Sequence, residues 1–294
     1  MKPGGLFSKL FFSSSYFTIA LRERSPQGIA ERRSFCAQTV FPATKDNWAA
    51  DPMLVDDEDK TWLFYEAVAG GKGRIEVAEV RDGCRLSEPT VLLEDTCHYS
   101  YPFVFRAADN WYMIPESSAA GEVRLYRAVS FPFRWEQQAV LLRERAVDTT
   151  VFLHQGQYWL FTYYPENGTE RVYPHAFQVK DWQEPSLYEV PWRDYDPLRV
   201  RGGGPFLSTE NGSLRPAQIS LPNRYGDGLI FYRPSFEDTY SEGQAFTLSA
   251  KNLHVHGIFA DGLHTYCCSK RFEAIDIRCR DADPFKTVKR LFRR

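Results

Sequence analysis

Short runs of apolar and aromatic residues recur along this chain, each broken by a tight polar cluster. The 3.6-residue period of an amphipathic helix is nearly absent. Four units share one layout: an apolar run, a polar turn, then an aromatic-rich run. Counting from Asp51, Trp62 lies eleven residues on and Glu66 fifteen on. From Tyr101 the same offsets fall on Tyr112 and Glu116, and from Asp148 on Trp159 and Tyr163. From Gly203 they fall on Leu214 and Gln218, and the four starts are 50, 47 and 55 residues apart. The turns are Asp56 to Asp59, Ala108 to Asn110, Gln155 to Gln157 and Glu210 to Gly212. This reads as strand, turn, strand. A further apolar run, Arg74 to Val80 in the first unit and Val123 to Val129 in the second, adds another strand. Three or four strands in roughly 50 residues make one propeller blade.

The segment from Gly262 to Ile277 supplies a fifth blade, closed by a strand from Tyr16 to Leu21 at the other end of the chain. Such closure protects two otherwise open sheet edges. The predicted fold is therefore all-β, a five-bladed β-propeller with a central funnel. It occupies residues 16–284, between an N-terminal extension (1–15) and a basic C-terminal tail (285–294).

Composition changes this picture little. The 294 residues suit five blades better than six or seven. Aromatic residues make up 15%, which favours strands and offers faces for sugar rings. A formal net charge of −2 gives no global basic field, so nucleic acid is not an expected partner. The six cysteines form no C-x-x-C pair and have no histidine at zinc spacing. They read as buried thiols in a reducing, cytoplasmic setting, with no metal and no cofactor expected. No apolar run reaches the ~20 residues of a membrane span, and Ser13 to Ser15 interrupt the apolar N-terminus, so no signal peptide is expected.

In a propeller the inner strands of all blades line one channel, so equivalent positions converge there. Position zero supplies Asp51, Tyr101 and Asp148, and position fifteen supplies Glu66, Glu116, Tyr163 and Gln218. A polar residue recurring in an apolar unit is not explained by packing between blades. Carboxyl groups around one funnel are what glycosidic chemistry requires, one ionised and one holding a proton. Arg127 and Arg215 either pair with blade carboxylates or form a fork for a substrate phosphate or carboxylate. A sugar phosphate, nucleotide sugar or uronic acid would fit that fork. His98 and His264 occupy matching segments and are expected at the funnel. Gly70 to Gly73 lacks Walker spacing and reads as a hairpin turn, and Gly202 to Gly204 as a tight backbone passage. The tail from Phe285 to Arg294 is basic and amphipathic, a frayed end or a weak contact with an anionic membrane surface.

Several segments together carry a family likeness. His98 to Phe105, Tyr112 to Ser117, Leu125 to Ala128 and Phe131 to Trp135 resemble the N-terminal domain of plant glucosamine inositolphosphorylceramide transferase and its bacterial relatives. Ala50 to Pro52, Leu63 to Glu66, Leu214 to Gln218, Tyr225 with Gly226, and Gly262 to Tyr266 extend the likeness. That family in turn resembles the five-bladed propellers of glycoside hydrolase family 43 and related clans. There, an Asp of the first blade is the general base, a second Asp tunes pKa values, and a Glu is the acid. By position Asp51 resembles the base and Asp148 the second Asp. The fourth unit carries Arg215 and Gln218 in place of a Glu, which leaves Glu116 as the candidate acid.

The sequence thus leads to a carbohydrate-active protein acting on a glycosidic bond, by hydrolysis or transfer, in polysaccharide or glycolipid metabolism. Asp51, Asp148 and Glu116 are the catalytic candidates. Glu66, His98, Tyr101, Arg127, Arg215, Gln218 and His264 are the binding candidates. The alternative is a non-catalytic glycan-binding propeller that serves a partner glycosyltransferase.

Overall fold

The computed structural model describes residues 12–282 except 26 and 223, and only the backbone of 12–14 and 280–282. Five antiparallel sheets of four or five strands form five blades, and a short parallel pair, Phe35–Cys36 with Leu253–His254, lies apart from them. Blades one to four follow the four sequence units in order. Their inner strands are Asn47–Asp57, Ser100–Ala107, Val147–His154 and Leu207–Thr209. The predicted turns are tight hairpins, with Asp57 paired to Lys60, Ala107 to Asn110, His154 to Gln157 and Thr209 to Gly212. Ala108 and Asp109 both have positive φ, as do Gln155 and Gly156, the geometry two-residue hairpins demand. Gly70 and Gly71 likewise turn the Ala69–Lys72 hairpin.

The fifth blade is built from both ends of the chain. Its inner edge comes in two pieces, Ala260–Gly262 and Tyr266–Cys268, and both pair with the long strand Phe272–Ala282. The strand Phe12–Glu23 then pairs antiparallel with Phe272–Ala282 and carries Thr39–Val40 on its outer side. This strand starts at Phe12 rather than Tyr16. The basic tail 285–294 lies outside the described residues. No described helix is long and apolar enough to cross a membrane.

The core is distributed between blades. One apolar cluster, which includes Phe64, Tyr112 and Leu160, joins blades one, two and three. Phe161 and Tyr240 join blades three and four, Phe231 and Ile275 join four and five, and Leu63 and Ala274 join five and one. Wedge packing of this kind leaves the inner strand ends to define the funnel.

Candidate active site

The repeat offset has a backbone cause. Ala50, Ser100 and Val147 pair directly with Glu66, Glu116 and Tyr163, and each ladder is irregular just beyond the pair. The residues at the break are Asp51, Tyr101 and Asp148, with φ of 51, 41 and 49°. Non-glycine residues rarely adopt this left-handed backbone, and each instance costs about 1–3 kcal/mol. Three of them at equivalent positions mark a built kink that turns the inner strand at the funnel.

In the fourth blade the register differs from the sequence count. The Gln218 N–H bonds the Arg201 carbonyl, so Arg201 takes the place held by Ala50 and Ser100 elsewhere. Gly204 follows with φ 125°, and a Cβ there would lie 2.0 Å from the Tyr266 carbonyl oxygen, so only glycine fits.

A funnel of about 300 Å³ opens at this end. Asp51, Glu66, His98, Ser100, Glu116 and Arg201 line it, together with Phe17, Trp48, Tyr225 and His264. Five of the ten sequence candidates therefore face it: Asp51, Glu66, His98, Glu116 and His264.

Asp51 is anchored on both oxygens. Oδ1 accepts from the Thr265 hydroxyl at 2.8 Å and Oδ2 from the Tyr101 N–H at 3.2 Å. Burial, opposed by His264 and aided by Glu66, pushes its pKa up to about 7. Glu116 Oε1 accepts from the Ser118 hydroxyl at 2.7 Å, and Oε2 lies 3.5 Å from Arg201 Nη2. Burial and the neighbouring Asp148 charge raise the Glu116 pKa to about 8 against the pull of Arg201.

Asp148 is nearly sealed, at 2% exposure, behind Arg201. Arg201 grips it through Nε and through Nη2 at 3.2 Å, and Gln218 Nε2 donates to Oδ2 at 2.9 Å. Gln218 also donates to the Gly202 carbonyl at 2.6 Å, so it orients Asp148 from beneath and does not reach the funnel.

Glu66 accepts from His98 Nε2 at 2.9 Å, while His98 Nδ1 accepts the Gly73 N–H at 3.0 Å. The Glu66 bond raises the His98 pKa, but a protonated ring would aim Nδ1–H at the Gly73 N–H. The network therefore assigns the neutral Nε2–H tautomer in this arrangement. A Cβ on Gly73 would lie 2.6 Å from Glu66 Oε1, so the glycine lets this strand pass close to the pair. Burial raises the Glu66 pKa, and His98 opposes that rise.

Asp276, which the sequence reading did not single out, organises the blade-five side. It is fully buried. Oδ1 accepts the N–H groups of His264 and Thr265 at 3.0 and 2.9 Å, and Oδ2 accepts the Asp51 N–H at 3.1 Å. Its Oδ2 also sits against His264 Nδ1 as a charge contact that lacks hydrogen-bond alignment. Burial alone would lower the His264 pKa, but Asp276 and Asp51 outweigh it and hold the ring at about 9. Phe17 stacks on the His264 ring with centroids 4.3 Å apart. One ligand atom each from Asp51, His264 and Asp276 lies within 4.8 Å of the others, a spacing that could hold a cation. Three backbone N–H donors already occupy the Asp276 carboxylate, which explains the cluster without one.

Three candidates are placed elsewhere, and Asp148 and Gln218 lie just beneath the lining. Tyr101 is 1% exposed, and its hydroxyl bonds Thr150 at 3.0 Å and accepts the Gly204 N–H at 2.9 Å, so it braces blades and cannot stack on a ligand. Arg127 is exposed on the third strand of blade two, opposite Glu136. Outer strands do not reach the channel. Arg215 is 1% exposed and bound to Glu242, the Tyr163 hydroxyl and the Val200 carbonyl, the ion-pair alternative rather than the fork. Arg201 and Tyr225 were missed. The guanidinium of Arg201 lies 4.9 Å over the Tyr225 ring.

Solved structures share this fold. A β-1,2-mannobiose phosphorylase from Listeria innocua superimposes with a TM-score of 0.58 at 10% identity, covering 86% of this chain and 95% of that one. A GH43 β-xylosidase/α-arabinofuranosidase from a compost metagenome gives 0.55 at 10% identity, covering 82% and 92%. In sequence, glucosamine inositolphosphorylceramide transferase 1 of Oryza sativa subsp. japonica is 30% identical over 207 residues, 67% of this chain and 28% of that protein. The Arabidopsis thaliana protein of the same name is 38% identical over 128 residues, 42% of this chain and 17% of that one. The chain thus spans little more than a quarter of the rice relative. Residues 19–226 match the family described as glucosamine inositolphosphorylceramide transferase 1, N-terminal, and the chain belongs to that family.

Proposed function

We propose that the funnel binds a carbohydrate and acts on a glycosidic bond, by hydrolysis or glycosyl transfer. One observation carries this: two funnel carboxyls titrate near neutrality, Glu116 at about 8 and Asp51 at about 7, with Asp148 held against Glu116 by Arg201. Glu116 keeps its proton at neutral pH and gives it to the glycosidic oxygen as the C–O bond breaks. The bond's electron pair leaves with that oxygen. Asp51 takes the proton of the incoming hydroxyl as the new bond forms. Activity needs Asp51 ionised and Glu116 protonated, so it rises through about pH 7 and falls above about pH 8. Removing the donor in Glu116→Gln should lower turnover about 10²–10⁴-fold.

A second reading, glycan binding in service of a glycosyltransferase, is favoured by the two protein donors already on Asp51 and by the extra length of the relatives. Product release from a panel of aryl glycosides, with water or a second sugar as acceptor, decides between them. Turnover that vanishes in Asp51→Asn and Glu116→Gln supports the enzyme. Saturable sugar binding without turnover, in wild type and both variants, supports the binding module.

A further inference from the structure

Each basic group that lines the funnel already stands against a protein carboxylate. Arg201 spans Asp148 and Glu116. His264 stands against Asp276 through Nδ1 and stacks on the Phe17 ring. His98 gives its Nε2 proton to Glu66 and accepts the Gly73 N–H at Nδ1. Three carboxyls, Asp51, Glu66 and Glu116, face the same 300 Å³ space. Glu116 keeps its proton at neutral pH, but Asp51, Glu66, Asp148 and Asp276 still outnumber Arg201 and His264, so an anion entering the space adds to an excess of acids. That buries like charges together, which is among the costlier arrangements in a protein. A neutral sugar meets no such barrier. Its hydroxyls meet carboxyl acceptors, and its apolar faces meet the rings of Phe17 and Trp48.

We propose that the funnel selects by charge: it admits carbohydrates that carry no negative charge and rejects phosphorylated and uronic sugars. It follows that the group attacking the glycosyl carbon is a hydroxyl, of water or a second sugar, and not inorganic phosphate. The proposal rests on the carbohydrate reading above. The fold is neutral on this point, because one of the matching propellers is named a phosphorylase.

The test uses the full chain at pH 7 and low ionic strength. Methyl glycosides of glucose, mannose, galactose and xylose are titrated calorimetrically, and those that bind are compared with their 6-phosphate, uronate and 2-amino counterparts. The anionic counterpart of any sugar that binds is expected to be at least about tenfold weaker, and the amino counterpart no weaker than the parent. Anionic sugars that bind as tightly as the parent overturn the proposal. So does an amino sugar rejected as strongly as the anionic one. Glu66→Gln should shrink the anion penalty several-fold, and an unchanged penalty counts against the proposal. A second arm needs no sugar: inorganic phosphate is titrated while the imidazole resonances of His98 and His264 are followed. No saturable shift is expected at tens of millimolar phosphate, and a saturable shift overturns the charge rule. If no sugar of any charge binds, the carbohydrate reading falls and the phosphate titration alone decides the charge rule.

Discussion

Arg201 and Arg215 invite comparison. Both guanidiniums are held by carboxylates, Arg201 by Asp148 and Glu116 and Arg215 by Glu242, and neighbouring acids raise both pKa values far above the ordinary range despite burial. Arg215 is 1% exposed and boxed by Tyr163, Trp192 and Tyr232. The Arg201 side chain keeps 22% of its surface and borders the funnel beside Glu116. Chemistry available to a ligand is therefore decided by which residue borders the funnel, since residue type and ion pairing are alike in the two.

The sharpest way to break this comparison is to remove each charge. Arg215→Met leaves the Glu242 carboxylate, 5% exposed, without a cation and with the Tyr240 hydroxyl as its remaining side-chain partner, which should cost about 3–5 kcal/mol in chemical denaturation or prevent folding. Arg201→Met should cost clearly less, because the Arg201 side chain, 22% exposed, borders the funnel, where water can take its place beside Glu116. Equal losses would mean that both arginines are structural.

A smaller effect sharpens the funnel side. The folded pKa of Glu116 is about 8, above its ordinary 4.5, so the folded state binds this proton more tightly than the unfolded chain does. The stability it contributes is fully present below about pH 4.5 and is lost as pH rises through about 8. Glutamine does not ionise. Glu116→Gln should therefore match wild type below about pH 4.5 and gain on it as pH rises, the gap reaching its full size, on the order of 1–3 kcal/mol in urea titrations, by about pH 8. A gap that opened toward acid would reverse the assignment. The smallest effect belongs to Arg127→Ala. It should leave stability within about 0.5 kcal/mol and ligand binding unchanged, as an exposed outer-strand residue would.

The fold was legible because hairpin length fixes the offset between paired strands. Once the turns repeat, Glu66 and Glu116 must fall opposite Ala50 and Ser100. The site was legible only where that ladder is regular. At Gly202 to Gly204 the glycines conceal a break in register, so counting from Gly203 passed over Arg201. Asp276 lay in plain view as a lone carboxylate within Ala274 to Ile277. Its offset from the split inner edge of blade five, however, follows no hairpin. Tyr101 shares the position and the kink of Asp51, yet its longer side chain passes to the next blades. Position gives the turn of the backbone, and side-chain length decides what is reached.

The seam in blade five has a consequence for biogenesis. Asp51 is joined to Thr265 and Asp276, partners 214 and 225 residues later in the chain, and Phe17 packs on His264. As the polypeptide leaves the ribosome, the early blades can form while the funnel still lacks one wall. A nascent or truncated product that ends before His264 carries most of the acids and, of the clasp, only Phe17. Competence for ligand is thus acquired in one late event, when the last strand meets the first.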